Sequence, residues 1–253
     1  MSYEDITIRD RNPAKRWIHD RRFAHALLPL RNARASGPIT VLDFGGADGE
    51  LIRRMAGGPA ISACLYEPEA SAMAQARRKL SGLDWVAFAG SLDGLAPGSF
   101  DYVFCLEVLE HLPERETGDA LASIHRLLKQ DGRAIIGVPH EVHLPALLKG
   151  LFRMSRRYGA FDARVGNVAA AAVGAPPHDR PPREVAPGLF YYDSHLGFDF
   201  RALEQKFTTH ALEITDKWFS PLPFLGSLLN SEVYYLLRKT APGQRAAIPA
   251  PAV

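Results

Sequence analysis

An apolar run that ends in glycines, ITVLDFGGADG at residues 39–49, sets the architecture of this chain. The run predicts a buried strand over 39–44, and the glycines allow a tight turn whose backbone can approach a ligand closely. The next residues, ELIRRM, have the pattern of a helix, whose first N–H groups are free to bind a polar ligand. We therefore predict a ligand site at the point where this strand ends.

The alternation of short apolar runs and amphipathic stretches continues along the chain. Further strands are predicted at 61–66, 84–89, 100–106 and 133–139, with helices between them, of which the last, 119–130, ends at Asp131-Gly132. Continuously apolar strands that alternate with helices indicate a parallel sheet covered on both faces. The predicted fold class is α/β, with a Rossmann-like, doubly wound and mostly parallel sheet.

The pattern changes after residue 139, which suggests an insertion. Residues 142–157 are basic and amphipathic, and 160–190 are rich in Ala, Gly and Pro, which predicts a long loop. A helix over 199–207 and strands over 210–219 and 232–239 follow. We divide the chain into an N-terminal helical segment (1–36), a ligand-binding core (37–139), a cap or substrate lid (140–198), a closing helix and hairpin (199–239) and a disordered tail (240–253).

Composition excludes several classes of protein. The 253 residues are 47% hydrophobic and 23% charged, which is typical of a globular protein, and the net charge of +2 argues against general nucleic-acid binding. Two cysteines, Cys64 and Cys105, lie in apolar runs, which favours a reducing compartment. We find neither an apolar run of membrane-spanning length nor a signal-peptide pattern at the start, so we expect a soluble, cytoplasmic protein.

The residues of the glycine turn indicate which ligand it holds. A dinucleotide fingerprint requires glycines where Ala47 and Glu50 stand, and the Lys-Ser/Thr pair of a phosphate-binding loop is missing. Asp43, at the end of the strand, would repel a pyrophosphate but suits a cationic ligand. Glu67, at the end of the second strand, is placed to bind ribose hydroxyls. These features point to S-adenosylmethionine, which carries a sulfonium, an amino group and a ribose.

Residues 39–139 with these motifs resemble a class I S-adenosylmethionine-dependent methyltransferase of type 11/12, and strands 210–238 resemble that family's antiparallel closing hairpin. The resemblance implies that the turn wraps the methionine portion of the cofactor, that Glu67 holds the ribose, and that the loop after strand three borders the adenine. Ala47 replaces the middle glycine of the family and is expected to have a negative φ. Cofactor-binding residues are thus expected at Asp43, Gly45, Gly46, Gly49, Glu67, Ser91, Leu92 and Leu106, with Asp93 in support of Ser91.

The segment after the fourth strand carries a second cluster of polar residues. If residues 106–112 begin a helical turn, Glu107, Glu110 and His111 share one face at the ligand edge of the sheet. Three interpretations of the cluster are open. It contacts the cofactor, or His111 acts as a general base with Glu110 beside it, or the cluster binds Mg²⁺ or Mn²⁺. The E-x-x-E-H spacing resembles that of ubiquinone-pathway O-methyltransferases and small-RNA ribose methyltransferases, which implies His195 as the fourth ligand beside Glu107, Glu110 and His111.

The cap holds further candidates. His140 is a second candidate base, as is His143, and Tyr191 and Tyr192 either line the pocket or pack the cap. For the basic segment 142–157 we favour a lid helix whose apolar face covers the active site. A peripheral contact of the basic amphipathic segments with a membrane surface is the alternative.

The predicted function is transfer of a methyl group from S-adenosylmethionine to a hydroxyl of a small molecule, such as a lipid, quinone or glycan precursor. Two alternatives stay open at this point. One is a metal-dependent RNA ribose methyltransferase, and the other is a relative that binds the cofactor without catalysis.

Overall fold

The strand–helix alternation builds a seven-stranded sheet in the computed structural model, which describes residues 13–33, 37–58, 60–186 and 188–240. The strand order is β3-β2-β1-β4-β5-β9-β8, in which β1 to β5 are parallel to one another and β9 is antiparallel to both of its neighbours. This arrangement confirms the predicted fold class and the closing hairpin. The strands are β1 (Ile39–Phe44), β2 (Ile61–Tyr66), β3 (Val86–Ala89), β4 (Phe100–Leu106), β5 (Leu128–Pro139), β8 (Leu212–Ser220) and β9 (Glu232–Lys239).

Helices cover both faces of the sheet and bury two large apolar clusters against it. The central strands carry side chains that are almost fully buried, as expected for a sheet covered on both faces. The helices of the N-terminal segment and the core are α1 (Pro13–Ala26), α2 (Leu28–Arg31), α3 (Glu50–Arg53), α4 (Ala70–Lys79) and α5 (Glu114–Leu127), and α8 (Phe200–Thr209) precedes the closing hairpin.

Two predicted boundaries in the core are wrong. The helix before β5 ends at Leu127 rather than at residue 130, because Leu128 already pairs with Phe100 of β4. A register shift between Phe100 and Tyr102 accommodates this long strand, so Asp131-Gly132 lies within β5 and does not end a helix. The third strand begins at Val86, two residues later than predicted.

The cap is ordered where a long loop was predicted. Helix α6 (His143–Arg157) is followed by a 3-10 turn (Phe161–Ala163), α7 (Val165–Ala172) and a separate hairpin of β6 (Pro182–Ala186) and β7 (Leu189–Tyr192). The prediction gave too much weight to Gly and Pro. Alanine has the highest intrinsic helix propensity of all residue types, and α7 contains a run of alanines. One more short helix, α9 (Gly226–Leu229), lies between β8 and β9.

The ends of the chain are only partly described. The predicted tail beyond residue 240 and residues 1–12 of the N-terminal segment lie outside the described residues. Within the described part of the chain, none of the helices combines the length and the apolar character that crossing a bilayer requires. Both cysteines are buried and free.

Gly49 joins the glycine turn to α3 at a position that leaves no space for a side chain. Its φ of +80° is left-handed, and a Cβ added there would lie 2.6 Å from Leu80 Cδ1. Gly57, in the turn after α3, has nearly the same φ of +83°, but an added Cβ would meet nothing within 4 Å.

We expect Gly49→Ala to destabilise the protein more than Gly57→Ala. Both variants force an alanine into a left-handed conformation at a cost of about 1–2 kcal/mol, and Gly49→Ala adds about 1–3 kcal/mol of overpacking against Leu80. Urea unfolding of the two variants measures the difference. Equal free energies of unfolding would show that the turn can absorb the added methyl group.

Candidate cofactor and active site

Most of the predicted site residues line one cavity of about 710 Å³ at the carboxyl edge of the sheet. Its walls come from the glycine turn after β1, the end of β2, the segment after β4, helix α1 and the β6–β7 hairpin of the cap. Clefts of this size at the carboxyl ends of parallel strands are the usual ligand sites of doubly wound sheets.

The glycine turn is held by backbone hydrogen bonds to the end of the neighbouring strand. The N–H groups of Gly45 and Gly46 both donate to the carbonyl of Tyr66, at 2.8 and 3.0 Å. A Cβ on Gly45 would lie 2.6 Å from Val108 Cγ2, so the absence of a side chain there is a steric requirement. The turn thus lies open toward the cavity, with no side chain at these two positions to obstruct a ligand.

The expectation of a negative φ at Ala47 is wrong, since its φ is +46°. This conformation is unfavourable for alanine, but it directs the N–H of Ala47 at Glu67 Oε2, 3.0 Å away. The other oxygen of Glu67 accepts the N–H of Glu69 at 2.8 Å. Glu67 therefore braces the glycine turn from the end of β2, a role that sequence reasoning did not foresee.

Glu67 also faces the cavity, as predicted for a ribose-binding acid. Its side chain is nearly buried, and this burial raises the pKa of the carboxyl, while the hydrogen bonds from the Glu69 and Ala47 amides act in the opposite direction. Each carboxylate oxygen can accept more than one hydrogen bond, so the two backbone contacts leave room for hydroxyl donors.

Asp43 is buried at the end of β1 and lines the same cavity. Its Oδ2 has no hydrogen-bond partner among the described residues. Burial, together with the nearby Glu67 and Asp48, raises the pKa of this carboxyl to about 7. A buried carboxylate without a partner is costly, and a cationic group in the cavity would offset that cost. The open turn and this carboxyl fit the amino and sulfonium groups of S-adenosylmethionine.

The predicted adenine-side residues are not on the cavity wall. Ser91 is exposed, and its hydroxyl donates to Asp93 Oδ2 at 2.8 Å. Leu92 packs against the core, and its carbonyl accepts a hydrogen bond from Arg126 at 2.9 Å. Leu106 lines the cavity, as do Gly45 and Gly46. Adenine binding by the loop after β3 stays a prediction.

Glu107 lies outside the cluster of Glu110, His111 and His195, although it lines the same cavity as His111. The segment forms a 3-10 turn over Leu109–His111, and Glu107 precedes it with a left-handed φ of +56°. Its carboxylate forms an ion pair with Arg22 of α1 at 2.6 Å. Although burial opposes ionisation, the Arg22 guanidinium holds the pKa of Glu107 well below its usual range. Glu107 therefore links the segment to α1 and is not among the residues placed to bind a metal.

Three other members of the predicted metal set do come together. Glu110, His111 and His195 each place a ligand atom within 4.8 Å of the other two. His195 Nε2 lies 3.1 Å from His111 Nε2, and Glu110 Oε1 lies 3.7 Å from the same atom. Neither carboxylate oxygen of Glu110, whose side chain is fully buried, has a hydrogen-bond partner among the described residues.

Burial determines the charge of this cluster. It lowers the pKa of His195 to about 4 and also lowers that of His111. It raises the pKa of Glu110 well above the usual range, and the charge of Glu107 adds to that effect. Both imidazoles are therefore neutral at pH 7, with a lone pair on each ring for a proton or a metal ion.

The cap hairpin holds His111 in place. His111 Nδ1 lies 2.6 Å from the carbonyl oxygen of Tyr192, so Nδ1 carries the proton and Nε2 carries the lone pair. The ring of Tyr191 stacks on the imidazole, with centroids 4.2 Å apart and planes 9° apart. Arg180 donates to the carbonyls of Glu110, at 2.6 Å, and Ser194, at 3.2 Å. Sequence reasoning missed the roles of Arg22 and Arg180, since no local pattern marks a partner that is 70 or more residues away.

His140 and His143 do not reach the cavity, so their prediction as bases is wrong. The His140 ring is buried and packs edge-on against Phe200, with centroids 4.9 Å apart. His143 Nε2 lies 3.3 Å from Arg201 Nη1 at an exposed position. The chain enters α6 directly after β5 and carries both rings away from the glycine turn.

Comparisons with known proteins agree with this geometry. Residues 42–134 match the family model for a methyltransferase domain. No curated protein matches the sequence of the chain. The fold is similar to that of the 1,6-didemethyltoxoflavin-N1-methyltransferase of Burkholderia thailandensis, solved with its substrate and S-adenosylhomocysteine (19% identity over 88% of this chain and 84% of that one, TM-score 0.51).

Two further solved structures share the fold. A TehB-like S-adenosylmethionine-dependent methyltransferase of Corynebacterium glutamicum is 18% identical over 90% of this chain and all of that one (100%), with a TM-score of 0.51. The mitomycin 7-O-methyltransferase MmcR is 16% identical over 95% of this chain and 61% of that one, with a TM-score of 0.53.

The matched domain model spans the strands that carry the glycine turn, Glu67 and the Glu110–His111 pair. The buried carboxyl of Asp43 and the open turn fit a cationic nucleoside in the same place. Residues 42–134 therefore resemble a methyltransferase domain, and the chain has the Rossmann-like fold of the S-adenosylmethionine-dependent methyltransferases to which it is similar.

Proposed function

We propose that the enzyme methylates a hydroxyl group of a small molecule and that His111 is the general base. The observation that carries this proposal is the placement of a neutral imidazole, its Nδ1 held by the Tyr192 carbonyl, on the wall of the cavity that Asp43 and Glu67 also line. A hydroxyl must lose its proton as it is methylated, and a neutral imidazole is suited to accept one near neutral pH.

Each residue has a distinct task in this proposal. The bound cofactor supplies an electrophilic methyl group on its sulfonium. Asp43 and the glycine turn hold the amino-acid end of the cofactor, and Glu67 holds its ribose. His111 accepts the proton of the acceptor at Nε2, in place of the hydrogen bond that His195 Nε2 donates to that atom at 3.1 Å. Most of the rate enhancement comes from alignment of the acceptor with the methyl group.

The character of the cavity supports an apolar acceptor. Beside the polar groups, its walls carry Leu51, Val108, Leu112, Leu189 and Tyr191. These side chains favour an aromatic or lipid-like molecule, such as a quinone or lipid precursor, over a free sugar. The mitomycin enzyme methylates an oxygen and the toxoflavin enzyme a nitrogen, so the product of this protein must be identified to decide which atom is methylated.

We propose as a second possibility that the cluster holds Mg²⁺ or Mn²⁺. The specific observation is the fully buried carboxyl of Glu110 with two unpartnered oxygens beside the Nε2 atoms of His111 and His195. The carboxylate ligand suits Mg²⁺ and Mn²⁺, and a bound ion would lower the pKa of an acceptor hydroxyl. An RNA ribose would offer such a hydroxyl, but the net charge of +2 gives that substrate no support.

We expect His111→Gln to abolish most of the transfer while cofactor binding persists. Methyl-labelled S-adenosylmethionine is incubated with the enzyme and an extract of its host, and the labelled product is identified by mass spectrometry and NMR. The variant should lower kcat by about 10²–10⁴-fold, with cofactor affinity within roughly threefold of the wild type. His178→Gln, an exposed histidine of the cap, is the control. A labelled nitrogen or carbon, or full activity of the variant, would contradict the proposal.

We expect the affinity for S-adenosylmethionine to rise with pH up to about 7. The cationic ligand requires ionised Asp43, whose pKa in the free protein is about 7, so binding near pH 6 should be about tenfold weaker than its plateau. The same raised pKa predicts the opposite trend for the free protein, whose stability should fall as pH rises from about 4 to 7. Equilibrium dialysis across this range tests the first trend, and Asp43→Asn should remove it. A pH-independent wild-type affinity would exclude this role for Asp43.

We expect calorimetric titration with Mn²⁺ to produce heat if the metal hypothesis is correct. Glu110→Gln and His195→Ala should each weaken binding by about 10-fold or more, because each removes one of three ligands. His178→Ala again serves as the matched control. Absence of heat from both Mg²⁺ and Mn²⁺ in the wild type would end the metal hypothesis and leave the general-base proposal in place.

A further inference from the structure

Helix α6 points its apolar side outward, which is opposite to the lid helix favoured from the sequence. Five large apolar side chains at helical spacing are each 37–53% exposed, and α6 contributes nothing to the cavity wall. We call them the apolar stripe: Leu144, Leu147, Leu148, Leu151 and Phe152. The lid prediction is therefore wrong.

The buried side of α6 consists of small residues, which explains this orientation. Pro145, Ala146 and Gly150 face the protein, and a Cβ on Gly150 would lie only 2.4 Å from Val168 Cγ1 of α7. The close approach of α6 and α7 leaves no space for leucine side chains between them. The stripe is thus exposed because of the packing of the cap and not because of local disorder.

A second exposed apolar group continues the stripe. The segment 221–231, between β8 and β9, contains α9 and exposes Phe224 (81%), Leu228 (68%) and Leu229 (51%). Helix α9 packs against α6, and Lys149 Nζ of α6 donates to the Ser231 carbonyl at 3.1 Å. We call the stripe and these three side chains the apolar platform. Isolated exposed apolar residues are common, but a cluster of eight indicates a binding surface.

The charge around the platform is strongly one-sided. Residues 141–174 contain five Lys and Arg residues and two acids, Glu141 and Asp162, whereas residues 221–231 contain no charged residue. Glu141 is buried and pairs with Lys149 and Arg153. Asp162 is buried and paired with Arg157. The guanidinium of Arg156 lies 4.6 Å above the ring of Phe152, at the border of the stripe. The platform is thus an uncharged apolar centre beside a basic border.

We propose that this platform docks the enzyme on the surface of an anionic lipid bilayer. Apolar side chains would enter the boundary between headgroups and acyl chains, and the arginines would contact the anionic headgroups. A second copy of the chain is disfavoured as the occupant, because a two-fold contact would bring two basic borders together. The platform follows β5 and β8, whose carboxyl ends lie at the same edge of the sheet as the cavity.

Vesicle flotation with the full-length protein tests the proposal without any cofactor or acceptor, so its outcome is independent of the proposed reaction. We expect binding to phosphatidylcholine vesicles that contain about 30% phosphatidylserine, and much weaker binding to pure phosphatidylcholine. Added salt should weaken binding, since it screens the arginines. The triple variant Leu148→Ser/Leu151→Ser/Phe224→Ser should reduce binding by about 10-fold or more.

Leu28→Ser is the matched control for the loss of an exposed leucine. Leu28 is 44% exposed on α2. Residues of α2 line a small pocket together with Ile61, which begins β2 and so lies at the opposite edge of the sheet. The control should bind vesicles like the wild type, and thermal unfolding should verify that all variants are folded. Absence of wild-type binding, equal binding by the triple variant, or a dimer in light scattering that the triple variant abolishes would each overturn the proposal.

Discussion

The hydrogen bond from the Ala47 amide to the Glu67 carboxylate is the interaction on which the cofactor site depends. It holds a left-handed alanine in the turn after β1 and connects that turn to the end of β2. The neighbouring amides of Gly45 and Gly46 bond to the last residue of the same strand. Two adjacent strands thereby present one rigid rim, and the buried acid of Asp43 lies behind it. A turn fixed in this way is preorganised for its ligand.

The chemistry of the site is completed by parts of the chain that are far apart in sequence. Arg22, from the N-terminal helix, pairs with Glu107 and keeps this acid ionised. The cap hairpin supplies Tyr191 and the Tyr192 carbonyl, which orient His111. Burial by these elements keeps the histidines neutral and Glu110 without a partner. Glu110 and His111 follow a central strand of the sheet, whereas the N-terminal helix and the cap hairpin, which bury them, set their protonation states.

The cavity of the candidate site and the apolar platform lie at the same edge of the sheet. Parallel strands send their carboxyl ends to this edge, so the glycine turn, the segment after β4, the cap and the loop between β8 and β9 all emerge there. An enzyme that docks through this edge would hold its cavity close to the bilayer surface. The apolar lining of the cavity and the exposed apolar platform are consistent with an acceptor that partitions into lipid.

The sequence by itself determined the α/β class, the positions of the strands of the main sheet to within a few residues, and the presence of the glycine turn, because hydrophobic periodicity and turn chemistry act over short distances. It also identified the pair Glu110 and His111 and a partner at His195. It did not show the β6–β7 hairpin of the cap. Tertiary structure alone decided which helix face is buried, since periodicity identifies an apolar face without showing which way it points. It likewise decided the sign of φ at Ala47 and the loss of Glu107 to an ion pair, because both depend on partners at least 20 residues away.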